Sequence, residues 1–310
     1  MTPTVSIVMA ARNYAAYLPA AIDSVLAQTY PDWELLVVDD GSTDRTPATV
    51  ASYLGDSRIR YFRADRLGQA RAKNLGIGMS RGPIVAFLDA DDVWHPTKLA
   101  RQLPLLQEDQ STGVVYSRRS LIDEHGRPLP ARGRTEFHRG RVLEHLFVQN
   151  FVCFSTAIVR RGVLSHVGMF DPQWDLAIDY DLWLRIARHY QFDYVDEELV
   201  LYRTGHGNLS SKLADRVDTA LSIMHRAEHQ LGLCADVPRT RIADAYASTC
   251  RTLAYVMRSS EPATSARWYV RALSWPSGRL ISFKGLVAAT VNYLSGRRSA
   301  GAPHNATINR

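Results

Sequence analysis

The sequence predicts an α/β fold, a mostly parallel sheet with helices on both faces, followed by a small helical C-terminal region. Three observations carry that expectation. Strand and helix patterns alternate four times between residues 5 and 92, the signature of a parallel sheet covered by helices. Two apolar runs, at 34–38 and 83–88, pass straight into carboxylates and read as strands buried on both faces. After Ser210 the alternation gives way to helical periodicity, so residues 1–210 are expected to form one domain and 211–310 a second.

Taken in order, residues 5–10 form a short apolar strand, and residues 19–28 a helix with Ile22, Val25 and Leu26 on one face. Residues 34–39 are the second strand and run into Asp39-Asp40-Gly41-Ser42-Thr43-Asp44, with a helix behind them at 46–54. A third, more amphipathic strand covers 59–63, and a helix 68–80. The fourth strand opens at Pro83, is β-branched at Ile84 and Val85, and ends in Asp89-Ala90-Asp91-Asp92. In an open α/β sheet the carboxyl ends of the strands line the ligand crevice, so Asp89 and Asp91 sit where a divalent cation and a phosphate can be held. Acidic residues also follow strands as helix caps, and Asp92, ahead of Val-Trp-His-Pro, suits that role.

Beyond Asp92 the alternation loosens. A helix is expected over 96–108, a short strand over 114–117, and a mobile loop over 123–140, which is rich in Gly, Pro and Arg. A long loop beside a crevice serves as a lid, an acceptor-recognition element or a plain linker. Another strand is expected at 152–159, then an amphipathic helix at 179–188 with Leu182 and Ile186 inward and Asp179 at its opening, Asp181 being its exposed neighbour. A strand at 198–203 leads into Thr204-Gly-His206-Gly-Asn-Leu-Ser210. Helices follow at 215–231 and 239–258. Residues 280–294 are mostly apolar, but a bilayer span needs roughly twenty residues, so this stretch is expected to lie in a membrane interface or pack on the main domain.

Composition excludes the extreme classes. At 310 residues, 46% hydrophobic and 22% charged, the chain can bury one large core and an appendage. Cys153, Cys234 and Cys250 show neither a metal-binding spacing nor a disulfide framework, which fits a reducing cytosol, and the N-terminus lacks the basic and apolar segments of a signal peptide. The net charge of +6 is uneven: residues 211–310 hold 14 Lys and Arg against 6 Asp and Glu, a net +8 that leaves −2 for the first 210. A basic tail points to an anionic surface, membrane or nucleic acid, as partner. Trp268, Trp275, Phe283 and Tyr293 among Arg267, Arg271, Arg279, Lys284, Arg297 and Arg298 give it the composition of an interfacial helix, so anionic membrane is the expected partner and nucleic acid is not.

Four segments, Val5-Ser-Ile-Val-Met-Ala-Ala-Arg-Asn13, Asp39-Asp-Gly-Ser-Thr-Asp44, Gly68-Gln-Ala-Arg-Ala-Lys-Asn74-Leu-Gly76 and Phe87-Leu-Asp-Ala-Asp-Asp92, match the family 2 glycosyltransferases in kind, order and spacing. A fifth, Asp179-Tyr-Asp-Leu-Trp-Leu-Arg185, resembles the helix start that carries their catalytic base. The resemblance covers about residues 4–210 and implies a GT-A fold. It further implies inverting, metal-dependent transfer of a sugar from a nucleotide-diphosphate sugar, with a UDP-sugar favoured, to a hydroxyl of a sugar, glycolipid or other acceptor. Bacterial-type surface polysaccharide or glycoconjugate synthesis follows from the same likeness, while the cysteines and the basic tail point to the cytoplasm or the inner face of the cell membrane. A non-catalytic nucleotide-sugar-binding module is the alternative, as is a sugar-nucleotide pyrophosphorylase, although that class carries a glycine-rich loop where this chain has Ala10-Ala-Arg-Asn-Tyr.

By resemblance the donor nucleotide falls to Ala10, Ala11, Arg12, Asn13, Asp40, Arg71, Asp89 and Ala90. Asp40 would accept hydrogen bonds from the base, Arg71 approach the nucleotide, and Asp89 lie near the ribose. Many relatives carry Pro-x-Tyr-Asn after the first strand, with the aromatic ring on the base; here the guanidinium plane of Arg12 can stack instead. Asp91 and His206 would hold Mg²⁺ or Mn²⁺, which offsets the charge developing on the leaving diphosphate. Asp179 would be the general base. Ile178 departs from the Glu common before it, while Asp179 itself is retained.

Overall fold

The computed structural model describes residues 2–130, 135–205 and 212–300, with side chains to residue 294. Its centre is a nine-stranded sheet in the order β3-β2-β1-β4-β8-β6-β9-β5, with β7 paired to β6. The strands are β1 (Val5–Ala11), β2 (Trp33–Asp40), β3 (Ile59–Ala64), β4 (Ile84–Phe87), β5 (Val93–Trp94), β6 (Thr112–Ile122), β7 (Pro128–Leu129), β8 (Ile158–Arg160) and β9 (Gln191–Arg203). From β3 to β4 every pairing is parallel, as the alternating pattern requires. The other half is mixed: β8 runs antiparallel to β4 and β6, β5 to β9 and β7 to β6, while β6 and β9 are parallel.

Helices α1 (Leu18–Leu26), α2 (Thr46–Ala51), α3 (Gln69–Met79), α4 (Lys98–Glu108), α5 (Leu143–Val148), α6 (Arg161–Val167) and α7 (Ile178–His189) complete this part. All eight residues of β2 are buried, and β1, β2, β4, α1 and α4 share one apolar core. Helix α3 lies so close on β1 that a Cβ at Gly76 would stand 2.6 Å from Val8 Cγ1, so only glycine lets the helix seat there. The opposite end of the sheet from the strand carboxyl termini is tied by Glu34. It accepts from Ser6 Oγ (2.7 Å), from Arg60 on β3 (2.8 Å) and from the Arg81 N–H ahead of β4 (2.7 Å).

Several expectations change shape. The strand expected at 152–159 is mostly the tight turn Phe154–Thr156, with only Ile158–Arg160 in the sheet, because the apolar side chains of this segment pack as a turn under β4. The strand expected at 198–203 is the last part of a 13-residue strand that begins at Gln191. Of the loop expected over 123–140, residues 123–129 make a hairpin and 131–134 lie outside the described residues. Asp123 N–H donates to Arg127 O (2.9 Å), β7 joins β6, and Gly140 bridges to Phe192.

Two compact units divide the chain: residues 1–211 with 226–235, and residues 212–225 with 236–310. The second holds α8 (Leu213–His225), α9 (Arg239–Met257), α10 (Pro262–Ala272) and α11 (Arg279–Ala300). Its small core joins Ala254, Tyr269 and Ala289, with Trp268 against them, and Trp275 stacks on Tyr246 at 5.7 Å. Among the described residues no helix is long and apolar enough to cross a membrane.

Candidate active site

Register brings the first motifs together. β1 lies between β2 and β4, with Ala11 opposite Asp39 and Val8 opposite Phe87, so Ala10–Asn13, Asp39–Asp44 and Asp89–Asp92 leave the sheet at one end. The chain winds from β1 through β2 to β3 and then returns to the far side of β1 as β4, which places a topological switch point between β1 and β4.

On the β1–β2 side the polar motif residues build the rim. Asp39, fully buried, accepts from Ser42 N–H (2.8 Å) and the Tyr61 hydroxyl (2.7 Å), and Gly41 turns with φ +72°. Asp44 Oδ1 accepts from the N–H of Thr46, the first residue of α2, whose cap position is Arg45. Asn13, itself at φ +61°, donates its N–H to Ser42 Oγ (2.9 Å) and accepts from Thr43 N–H (2.8 Å), stitching the two loops together. Arg12 is exposed at this rim, Ala10 is half-buried and Ala11 buried. Asp40 is buried and already engaged: its two oxygens accept from the N–H groups of Leu67 (2.5 Å) and Gly68 (3.0 Å) at the entry to α3. A carboxylate offers about four lone-pair sites, so two remain for a ligand donor.

Helix α3 presents Lys73 inward and leaves Arg71 exposed. Lys73 Nζ sits 3.0 Å from Asp89 Oδ1 and 3.7 Å above the Phe154 ring. Asn74 is a fastener: its amide donates to Phe170 O (2.7 Å) and accepts from Phe170 N–H (3.0 Å).

Past β4, Ala90, Asp91 and Asp92 are buried and Asp89 is partly open. Asp92 is no helix cap. It accepts from Ser155 Oγ (2.5 Å) and Arg203 N–H (2.9 Å), joining the β4 terminus to β9, while Arg203 Nε donates to the Asp91 carbonyl (2.8 Å). Burial raises the Asp89 carboxyl above its ordinary value; Lys73 works against this, and the charges of Asp91 and Asp179 add to it. Burial, Asp91 and Asp89 push Asp92 well up, with Ser155 and Arg203 opposing. Burial and the same three carboxylates drive the Tyr14 hydroxyl far upward.

Asp179, on α7, lies near enough for its charge to act on Asp89. It is the second residue of the helix, half-buried, and its Oδ2 accepts from Asn150 Nδ2 (3.1 Å). The cap position is Ala177, in the left-handed region at φ +51° and without a side-chain bond. Asp181 is not the exposed neighbour that the sequence suggested: it is 3% exposed and paired with Arg185 and Arg226, because it falls on the face of α7 that packs inward. Leu182, Trp183 and Ile186 are fully buried and anchor the helix. His206 lies outside the described residues.

The donor set fits a hard divalent cation. Carboxylates that raise one another's proton affinity are the arrangement a cation relaxes, and Mg²⁺-type ions take one or two carboxylates with the remaining ligands from water and substrate phosphates. Among the described residues no group of three or more His, Cys, Asp or Glu stands ready as a cage.

Sequence reasoning undervalued Lys73 and missed Asn150, Ser155 and Arg203. Lys73 had a signal, since Ala70, Lys73 and Ile77 fall on one helical face. The other three come from segments with no periodicity that points to a ligand.

The family description that matches residues 6–168 is glycosyl transferase family 2. An uncharacterized glycosyltransferase of Rickettsia typhi is 31% identical over 231 residues, 73% of this chain and 70% of the relative. Two solved structures share the architecture. Residues 1–349 of S. aureus TarS, in complex with UDP-GlcNAc, align with a TM-score of 0.57 at 17% identity, covering 96% of this chain and 92% of that one. The mannosyltransferase PcManGT of Pyrobaculum calidifontis, in complex with GDP-Man and Mn²⁺, aligns with a TM-score of 0.56 at 21% identity, covering 96% and 88%. At such identities these two speak for the fold alone, a GT-A-like sheet with C-terminal helices. The rickettsial likeness extends over most of both chains and agrees with the family match, and on these grounds the protein belongs to glycosyl transferase family 2.

Proposed function

We propose that the protein transfers a sugar, with inversion, from a nucleoside-diphosphate sugar to an acceptor hydroxyl, using Asp179 as general base and Mg²⁺ or Mn²⁺ held by Asp91. The observation that carries this reading is the convergence of two carboxylate sets from distant parts of the chain. Asp89-Ala-Asp91 ends β4, Asp179 opens α7, and the Asp179 charge is felt at Asp89. An inverting transfer needs that layout: charge compensation where the diphosphate leaves and a carboxylate on the opposite, acceptor side of the anomeric carbon.

In the proposed reaction Arg12 stacks on the base, Asp40 accepts from it with its remaining lone pairs, and Ala10, Ala11, Asn13, Arg71 and Ala90 line the nucleotide. Lys73 orients Asp89 toward the ribose. When bound, the cation would act as a Lewis acid on the diphosphate, with His206 as a further ligand. Asp179, steered by Asn150, takes the hydroxyl proton as the new bond forms. The donors held by the two structural neighbours, UDP-GlcNAc and GDP-Man, support a nucleotide sugar, and a UDP-sugar is the first choice. The acceptor is a sugar, a glycolipid or another hydroxyl compound, in synthesis of a surface polysaccharide or glycoconjugate. Helix α11 would carry the enzyme to the cytoplasmic face of an anionic membrane: Leu280, Phe283, Val287, Val291 and Leu294 recur along one side, each at least 47% exposed, near Arg279 and Lys284. Of the aromatic residues expected to help there, Phe283 is exposed, whereas Trp268 and Trp275 pack within the unit.

The test is Asp179→Asn. The donor is chosen from UDP- and GDP-sugars by Mn²⁺-dependent thermal stabilisation; a ligand at a hundred times its Kd adds about 2.7 kcal/mol. Release of nucleoside diphosphate is then followed with water and with mono- and disaccharides as acceptors. Asparagine keeps the shape but cannot take the proton, so turnover should fall roughly a hundred- to ten-thousand-fold with donor affinity nearly intact. Near wild-type turnover would remove Asp179 as the base.

A further inference from the structure

The first turn of α7 is held by more than the family motif supplies. Asp181 is buried, and a carboxylate in that position must be paired. Arg185, one turn later, reaches Asp181 Oδ2 at 2.8 Å and also donates to the carbonyls of Val167, Gly168 and Met169. The second oxygen, Oδ1, is taken by Arg226 at 3.1 Å, and the other arm of the same guanidinium holds Asp171 Oδ2 at 2.8 Å. Arg226 lies beyond the residues that the family description covers. It immediately follows α8, where residues 226–235 return to the first unit.

A planar guanidinium that bridges two carboxylates fixes their relative placement in a way that a point charge does not. Asp171 belongs to the segment that enters α7, and Ala177 within that segment is left-handed at φ +51°, a backbone state that persists only where the surroundings over-determine it. Asp179 stands midway between Ala177 and Asp181. The same entering segment is fastened to α3 by Asn74 on Phe170 and by Gln69 on the Asp175 carbonyl. Arg226 therefore closes a ring of contacts that starts on the donor side, runs through residues 170–177 and ends on the turn that carries Asp179.

We propose that Arg226 is a positioning residue: by gripping Asp171 and Asp181 together, it fixes the first turn of α7 and so sets where the Asp179 carboxylate stands. This rests on the reading of Asp179 as the base. Misplacement of a reacting group by about 1 Å can cost on the order of a hundredfold in rate, with binding elsewhere in the site untouched.

The experiment is a double-mutant cycle in the full chain, with kcat for nucleoside diphosphate release and donor Kd measured for Arg226→Ala, Asp179→Asn and the pair. Arg226→Ala should lower kcat about ten- to a hundredfold and leave donor Kd within about threefold. Arg226→Lys, which keeps the charge and loses the fork, should fall between it and wild type. In the Asp179→Asn background Arg226→Ala should change the residual rate by less than about twofold, since moving a group that cannot take the proton costs nothing more. Equal fold-losses in both backgrounds, or an unchanged kcat in Arg226→Ala, overturn the proposal and leave the base assignment standing. Wild-type turnover in Asp179→Asn overturns both. If Arg226→Ala does not fold, Asp171→Asn takes its place, since it loosens one arm and leaves Asp181 paired; a kcat equal to wild type there overturns the proposal.

Discussion

Asp89, Asp91 and Asp92 raise the question of what balances them. Lys73 meets Asp89, the Arg203 N–H donates to Asp92 and Arg203 Nε to the Asp91 carbonyl, and the Asp91 charge still raises the Asp89 and Asp92 carboxyls. A cation held by Asp91 would offset that repulsion, so Asp91→Ala should abolish Mn²⁺-dependent binding of UDP or GDP in calorimetry, and unchanged metal-dependent affinity would take the ion away from Asp91. The place of Asp179 at the opening of an amphipathic helix was legible, and its partner Asn150 was not, because Asn150 reaches it from a connecting segment with no pattern of its own. The Asp181–Arg185 pair has the four-residue spacing of a helical ion pair and could have been read from the sequence as an inward-facing link. Arg226 could not, since only the folded chain brings it 45 positions back along the sequence.

Among elements, the parallel half of the sheet was legible, and the mixed half only where strands were expected at 114–117 and 198–203, inside β6 and β9. β1, β2 and β4 are buried on both faces, so their apolar runs are continuous and end in unmistakable polar motifs. β5, β7 and β8 are two or three residues long, too short for a period to show. Helices α5 and α6, at six and seven residues, escape for the same reason. Glu34 shows how the legible strands are locked. Burial alone would raise its carboxyl, but hydrogen bonds from Ser6, Arg60 and the Arg81 N–H outweigh it and hold the group below the usual carboxylate range. A depressed folded value means the stabilisation is complete above the unfolded value of about 4.3 and is lost as pH falls through the folded one. Glu34→Gln should therefore cost about 1–3 kcal/mol at pH 7 in urea denaturation, with the gap to wild type closing in acid. A gap that is the same at pH 7 and pH 3 would show that the charge contributes nothing.

At the scale of the whole molecule, the break in pattern near residue 210 and the basic charge of the tail were visible in the sequence, whereas the return of residues 226–235 to the first unit was not, since it lies inside a continuous helical periodicity. The exposed side of α11 belongs to this scale because it bears on where the enzyme works. The full chain should co-sediment with vesicles containing anionic phosphatidylglycerol and less with neutral phosphatidylcholine vesicles, and Leu280→Glu/Phe283→Glu/Val287→Glu should lose the difference. Equal recovery of wild type and variant would leave α11 without a membrane role. The returning segment also has a consequence in time. A ribosome adding about 5–20 residues per second finishes α7 several seconds before it delivers Arg226. Through that interval Asp181 has Arg185 to pair with and not yet Arg226, so by the proposal above the first turn of α7 gains its full grip only once α8 has been made, while α9 to α11 are still to come.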